Sequence, residues 1–231
     1  MELIGIQKLT LLDYPEKLAC TVFLKGCNFK CPFCHNAPWL EDQSVVAGIS
    51  EKAFFEFLET RGEKLEGVCV SGGEPTINPD LPDFLERIKD MGFDVKLDTN
   101  GSNPKMLEKV LYDGLVDYIA MDIKTDLVAD KYKKLAGVEV DVNALGRSID
   151  DVMTDRLIEY EFRTTVIDGV HTVSDFEEIA KFISGADKYV LQAYKPYPYI
   201  KEESFRTPSL EFLHECRNAL KEGVYRVDIK P

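Results

Sequence analysis

Residues 26–36 have the sequence GCNFKCPFCHN, which places three cysteines, Cys27, Cys31 and Cys34, in one short loop. Thiolates bind soft metals, and three of them this close together have few other uses. A tetrahedral zinc site needs a fourth ligand, which His35 could supply only by turning onto the same ion as Cys34. The other possibility is a [4Fe–4S] cluster held by three cysteines, which leaves one iron open for a ligand that takes part in chemistry.

The length and composition of the chain limit its class. With 231 residues, 45% of them hydrophobic, the chain suits one domain over residues 1–231. No window approaches a membrane span and no signal segment opens the chain, so we expect a cytoplasmic protein without a membrane partner. The net charge of −13 disfavours a nucleic-acid partner, because a phosphate backbone needs a basic surface. The three remaining cysteines are scattered, unlike a secreted disulfide framework.

Strand and helix patterns alternate along the chain. Apolar runs predict strands at 18–24, 67–71, 93–99, 116–124, 161–167 and 188–194, with an N-terminal arm at 3–12 and a terminal strand at 224–229. Capping patterns predict helices that begin at Ser50, Asp80, Asn103-Pro104, Ser148 (through Tyr160), Ser174 (a capping box with Glu177) and Ser209. This alternation predicts an α/β fold of parallel strands joined by crossover helices, and six units are too few to close an eight-fold barrel. We therefore expect an open, partial (βα)6 barrel.

Polar motifs follow the predicted strands at their carboxyl ends, where parallel α/β folds form their active face. In chain order these motifs are the cysteine loop, Gly72-Gly73-Glu74-Pro75, Asp98-Thr99-Asn100-Gly101, Asp122-Ile123-Lys124, Arg163 with Thr165, and Gln192. Their convergence predicts one site.

Several of these residues also allow a structural interpretation. Asp122 and Lys124 have the same parity in their strand, so they face the same side as an ion pair or as ligand contacts. Arg163 and Gln192 suit internal hydrogen bonds as well as ligand contacts. Phe33 is a packing residue or a wall of the site.

Together with Phe33 before the third cysteine, the Cys-x3-Cys-x2-Cys pattern resembles the radical S-adenosylmethionine (radical SAM) superfamily. The longer run from Leu12-Asp13-Tyr14-Pro15 through Phe23-Leu24 to His35-Asn36 resembles the glycyl-radical activating enzymes, most of all the anaerobic ribonucleotide reductase activating proteins. The resemblance implies a [4Fe–4S] cluster on the three cysteines, reductive cleavage of SAM, and a 5′-deoxyadenosyl radical that takes a hydrogen atom from a glycine of a partner protein. Flavodoxin or ferredoxin is the electron donor that it implies.

The same resemblance assigns roles to the residues at the strand ends. Gly72, Gly73 and Glu74 correspond to the element that binds the methionyl amine, Asp122 and Lys124 to contacts with the SAM carboxylate and ribose, and Phe33 to a wall against the adenine. Asp98, Thr99 and Asp122 correspond to a monovalent cation site beside the SAM carboxylate, for which hard oxygen ligands are suited. Asn100, Arg163, Thr165 and Gln192 complete the expected cofactor contacts. Glu16 stands where the activating enzymes usually have glycine, which leaves open whether Asp13 seats the partner's glycine loop.

The substrate class follows from what the chain lacks. Residues 37–49 are too short a connector to hold a second cluster, and no capping domain is evident. A minimal open barrel would admit a peptide loop of a glycyl radical enzyme, whether ribonucleotide reductase or a pyruvate formate-lyase-like enzyme. The alternatives are a small-molecule radical SAM enzyme, such as a deazaguanine-type synthase, and a non-catalytic zinc module.

Overall fold

The structure is a computed structural model, and it describes residues 1–38, 48–62, 64–200, 202 and 204–231. Most of the 37–49 connector therefore lies outside the described residues. The strands are β1 Leu3–Thr10, β2 Ala19–Leu24, β3 Gly67–Gly72, β4 Asp94–Thr99, β5 Tyr118–Asp122, β6 Glu159–Val166, β7 Ala186–Ala193 and β8 Val224–Lys230. The helices are α1 Glu51–Glu59, α2 Leu81–Asp90, α3 Pro104–Tyr112, α4 Ala129–Ala136, α5 Val142–Thr154, α6 Val173–Phe182 and α7 Leu210–Leu220.

The strands form one sheet in the order β1 to β8. Strand β1 pairs antiparallel with β2, and every later neighbour pairs in parallel. Within the described residues β1 and β8 are the two edges and do not pair with each other, so the barrel is open. The prediction of an α/β fold built as an open partial barrel is confirmed, with β8 as a further parallel strand. No helix in the described ranges is long and apolar enough to cross a membrane.

The two faces of the sheet differ in polarity because side chains alternate along a strand. The outer face packs its apolar side chains under the helices, among them Val70, Leu97, Ile119 and Phe162, which are fully buried. Each such side chain contributes about 1.5–3 kcal/mol when it leaves water. The inner face carries polar and charged residues instead, and this alternation places the motif residues inside the barrel.

Helix starts follow the predicted caps at three places. Ser50 Oγ accepts a hydrogen bond from Ala53 N at 3.1 Å, and Ser209 Oγ accepts one from Phe212 N at 3.1 Å. Asn103 caps α3 with Pro104 at its first position. Each side chain satisfies one of the backbone N–H groups that a helix leaves unpaired at its start.

The prediction for residues 125–160 was wrong. Instead of one helix from Ser148 to Tyr160, the structure has α4 and α5, and β6 already begins at Glu159. Asp141 caps α5 by accepting from the N–H groups of Asn143 and Ala144. Ser148 is buried inside α5, where its hydroxyl donates to the Gly101 carbonyl at 2.7 Å. A serine that bonds a distant loop has the same sequence signal as a helix cap.

One further helix start was wrong in detail, and one predicted start was right but lacks its side-chain cap. Thr172 and Asp175 form the capping box of α6, rather than Ser174 and Glu177, because the same hydroxyl-and-acid spacing fits two registers. Asp80 precedes α2 but makes no side-chain cap.

Candidate active site

A cavity of about 220 Å³ opens at the carboxyl ends of the parallel strands. All of the residues predicted for the site line it, namely Cys27, Cys31, Phe33, Cys34, Gly72, Gly73, Glu74, Asp98, Thr99, Asn100, Asp122, Lys124, Arg163, Thr165 and Gln192. Phe29, Asn36 and Ser71 also line it and were not predicted, and so does His35, which was considered only as a zinc ligand. The motifs therefore meet in one place, as strand-end geometry requires.

The cysteine loop is held against helix α4. Lys30 N donates to the Ala136 carbonyl at 2.7 Å, at the end of that helix. The next residue, Gly137, has a φ of +70°, and a Cβ there would lie 2.1 Å from the Lys30 carbonyl oxygen. Only glycine permits both the left-handed backbone and this close approach.

The three thiols of the loop are half-buried and share the cavity. Burial raises the pKa of Cys27 to about 11. It also raises the pKa of Cys31 and of Cys34, and at these two thiols the Lys124 ammonium partly offsets the rise. The thiols are thus protonated without metal, and binding of a soft metal would replace those protons.

The donor set of the loop fits an iron–sulfur cluster. Three thiols around one cavity are the ligands that such a cluster takes. In the described part of the chain, no three side chains of His, Cys, Asp or Glu gather closely enough to hold a single metal ion.

The Glu74 carboxylate joins two loops of the site. It accepts hydrogen bonds from the Thr76 and Thr99 hydroxyls at 2.6 and 2.7 Å and from the Asn100 N–H at 2.6 Å. Burial raises its pKa, which these donors counteract. The side chain therefore ties the loops after β3 and β4 together, and Gly72, Gly73 and Glu74 all line the cavity.

A chain of charges crosses the inner face from β4 to β6. Arg163 donates from Nε to Asp122 Oδ1 and lies 3.4 Å (Nη2) from Asp98 Oδ2. Lys124 Nζ lies 2.8 Å from Asp122 Oδ2, and Lys96 Nζ donates to Asp98 Oδ1. Burial would raise the pKa of both carboxyls, but the neighbouring cations outweigh it and hold both below their ordinary value. The five groups form one ion network.

The expected monovalent cation does not fit this arrangement. Each oxygen of Asp98 and Asp122 already has a donor, with Ser71 Oγ as a second donor to Asp98 Oδ2 at 2.8 Å. The Thr99 hydroxyl donates to Glu74. The three residues expected to bind the cation are therefore engaged with the chain itself.

Two residues that the sequence analysis did not predict fix the backbone of Lys124. The Tyr132 hydroxyl accepts from Lys124 N at 3.1 Å. His171 lies 2.9 Å (Nε2) from the Lys124 carbonyl oxygen, while its Nδ1 accepts from Ile167 N at 3.0 Å. Because Nδ1 is an acceptor, Nε2 carries the proton and donates. Burial lowers the pKa of His171, which keeps this neutral form.

Phe33 both packs and lines the cavity. It is 5% exposed, and its ring lies 6.3 Å from that of Phe205. Lys124 Nζ lies 5.8 Å from the Phe33 ring centroid. The chain segment after β7 contacts the cysteine loop a second time, because the Tyr199 hydroxyl donates to the His35 carbonyl at 2.6 Å.

Comparison with known families gives a direct result. The sequence model described as Radical SAM superfamily matches residues 21–183, more than half of the chain. The chain belongs to the radical SAM superfamily. Membership implies a [4Fe–4S] cluster and SAM as cofactors, in agreement with the donor set in the cavity.

Curated relatives narrow the resemblance within the superfamily. A protein of Methanocaldococcus jannaschii, provisionally named a glycyl-radical enzyme activating enzyme, is 33% identical over 208 residues, which is 88% of this chain and 84% of the relative. The pyruvate formate-lyase-activating enzyme of Clostridium pasteurianum is 26% identical over 199 residues, 82% of this chain and 80% of the relative. A protein of Pyrococcus abyssi, provisionally named a GTP 3′,8-cyclase, is 28% identical over 116 residues, 50% of this chain and 37% of the relative.

A solved structure shares the fold. The radical SAM methyltransferase from Sphaerobacter thermophilus matches with a TM-score of 0.69 and 19% identity, over 96% of this chain and 68% of that one. At this identity the likeness concerns the fold alone.

Proposed function

We propose that this chain is a radical SAM activase that generates a glycyl radical on a partner enzyme. One observation carries the proposal: three thiols face the same cavity as the Gly72–Gly73 backbone and the Asp122, Lys124 and Arg163 network. Two relatives align with this chain over at least 80% of both sequences, and both bear activating-enzyme names.

The residues of the cavity have separate tasks in this proposal. Cys27, Cys31 and Cys34 hold the cluster, and the bound cluster with SAM supplies one-electron cleavage of SAM to a 5′-deoxyadenosyl radical. The Asp122–Lys124 pair contacts the SAM carboxylate and ribose, with Lys124 and Arg163 attracting the carboxylate. The Gly72–Gly73 backbone meets the methionyl amine.

The remaining predicted residues enclose the cofactor. Phe33 forms the wall against the adenine, and Asn100, Thr165 and Gln192 complete the polar lining. Fixed positions of this kind lower the barrier by holding the reacting groups in place and excluding water.

The proposed substrate is a peptide loop of a glycyl radical enzyme. The open barrel supports this, because the sheet edges β1 and β8 leave its side unclosed among the described residues. Leu9 near the end of β1 and Leu11 and Leu12 directly after it are 56, 70 and 82% exposed, next to Asp13. Exposed apolar side chains grouped in this way mark contact surfaces for proteins.

The partners follow from the reaction. The substrate is an anaerobic ribonucleotide reductase or a pyruvate formate-lyase-like enzyme, and the electron comes from flavodoxin or ferredoxin. No nucleic acid or membrane is required. We place the reaction in the cytoplasm, where reducing conditions keep cluster thiols available.

The test is anaerobic electron paramagnetic resonance of reduced enzyme, SAM and the purified partner. The expected signal is a glycyl-type doublet that is absent when the partner's glycine is replaced by alanine. The matched control is the Cys31→Ala enzyme, which should give no doublet with the unaltered partner.

One outcome would move the chain to another class. SAM turnover that a small metabolite stimulates, with no radical on any partner protein, would indicate a small-molecule enzyme such as a deazaguanine-type synthase or a nucleotide cyclase.

A further inference from the structure

Lys96 is a buried cation that the proposed chemistry does not use. It lies on β4 with the same parity as Asp98, so both side chains face the barrel interior. Its side chain is 2% exposed, and Nζ donates to Asp98 Oδ1. Nζ also lies 3.8 Å from the Cys69 Sγ atom.

The position of Lys96 changes the charge of the network. An ammonium leaves water only where other charges compensate it. Here two carboxylates, Asp98 and Asp122, face three cations, Lys96, Lys124 and Arg163, which leaves one positive charge in excess.

The other acids near this network have partners of their own, and the Asp13 carboxylate accepts a hydrogen bond from the Thr21 hydroxyl at 2.6 Å. Glu161 pairs with Lys188 at 2.7 Å, a neutral pair of its own. The Glu74 oxygens are engaged by the hydroxyls of Thr76 and Thr99 and by the Asn100 N–H, outside this ion network.

We propose that the Lys96 ammonium is a built-in cation that takes the place of a free monovalent cation in this site. A potassium or sodium ion would have to displace an N–H donor from Asp98 or Asp122 and stand beside three like charges. The excess charge suits an anionic group instead, and the carboxylate of SAM is the anion that the proposed function brings here. This inference rests on the proposed binding of SAM in the cavity. It names Lys96 as the residue that makes SAM binding independent of potassium or sodium in solution.

The experiment measures SAM affinity of the reconstituted protein by equilibrium dialysis, in tetramethylammonium buffer and in potassium or sodium buffer. The parent should bind SAM equally in all of them. Lys96→Met should bind about tenfold more weakly in tetramethylammonium and regain affinity with potassium, a factor within the usual range of coupling between two bound ligands. Lys188→Met is the matched control, because it removes another inward lysine that pairs with Glu161 and should create no cation dependence.

A second measurement reads the site without SAM or a partner. Thallium(I) magnetic resonance should show no specific binding to the parent and should show binding to Lys96→Met. Potassium-dependent SAM affinity or specific thallium binding in the parent would overturn the inference, even if Lys96→Met did not fold. Unaffected SAM binding with no glycyl radical on any partner would overturn the activase proposal and leave this one standing.

Discussion

The six cysteines fall into two groups by their surroundings. Cys27, Cys31 and Cys34 line the cavity, whereas Cys20, Cys69 and Cys216 are fully buried and do not reach it. Only the first group can exchange protons for iron without unfolding the chain. The cysteines that line the cavity are therefore candidates for cluster ligands, whereas the buried ones are packing residues.

This division predicts the effect of removing one thiol. Anaerobically reconstituted parent should hold about four irons per chain, the content of a [4Fe–4S] centre. Cys31→Ala should lose most of the iron and all SAM cleavage, whereas Cys216→Ala should keep both. Iron analysis and absorbance report the result, and a full iron load in Cys31→Ala would refute the ligand assignment.

The Lys124 ammonium should act on SAM and not on iron. Lys124→Met removes a charge-assisted hydrogen bond, which contributes about 1.5–3 kcal/mol, so SAM affinity should fall by about one to two orders of magnitude. Iron content should match the parent. Lys109→Met, at an exposed lysine on α3, is the control and should bind SAM normally. Parent-like SAM binding in Lys124→Met would make the Asp122–Lys124 pair purely structural.

Among the elements, helix α4 supports the cysteine loop through its last turn. Gly137→Ala would place a Cβ 2.1 Å from the Lys30 carbonyl oxygen, in addition to the strain of its φ of +70°. Gly114→Ala is a matched control, because its φ is +67° and nothing lies within 4 Å of the added Cβ.

The two glycine variants should therefore differ. The left-handed backbone alone costs about 1–2 kcal/mol, which both variants share. Gly137→Ala should also displace the loop and lower iron content after reconstitution, which Gly114→Ala should not do. Thermal denaturation and iron analysis measure the two effects, and equal iron content in both variants would show that α4 does not position the loop.

Sequence patterns predicted the elements unequally well. Strands were found because apolar runs between turn signals have few other interpretations, and α3 because Asn103-Pro104 is a strong start. Helix α4 was missed because half of the residues in its sequence ADKYKKLA are charged, and it buries only Tyr132, Leu135 and Ala136. Its apolar side was too narrow to stand out from a connector.

The site was predictable to the extent that it is built from strand ends. The alternation of side chains placed Asp122 beside Lys124, and the same rule applied to β4 would have placed Lys96 beside Asp98. Tyr132 and His171 could not be found in this way. Their contacts with the Lys124 backbone span 8 and 47 residues, and no local pattern records them.

For the molecule as a whole, buried titratable groups predict a loss of stability in acid. Burial lowers the pKa of His171 below its ordinary value of 6.5, so the unfolded chain binds its proton first. The contribution of His171 to the free energy of unfolding should therefore be fully present above pH 6.5. It should be lost as the pH falls below that value. The lowered carboxyl pKa values of Asp98 and Asp122, ordinarily 3.8, should add a second loss below that pH.

The histidine step can be isolated by comparison. One proton changes the slope of stability against pH by at most about 1.4 kcal/mol per pH unit. Burial lowers the pKa of His35 too, so His171→Asn should lose only its own share of the slope below pH 6.5, and the exposed His214→Gln should retain the full slope. Urea denaturation of the metal-free protein at several pH values measures the difference. Identical slopes in the parent and His171→Asn would show that His171 does not titrate on unfolding.

The polar inner face of the sheet also bears on how this protein responds to selection. Replacing a buried ion network by apolar residues of similar volume is often neutral or stabilising, by about 1–4 kcal/mol. Removing one member alone would leave an unpaired buried charge and destabilise the fold. A screen for heat resistance alone, on a library that varies Lys96, Asp98, Asp122 and Arg163 together, should therefore enrich apolar combinations at these positions, three of which line the cofactor cavity. Thermostable variants obtained in that way would keep the barrel and lose the chemistry, so a useful screen of this fold has to select for both at once.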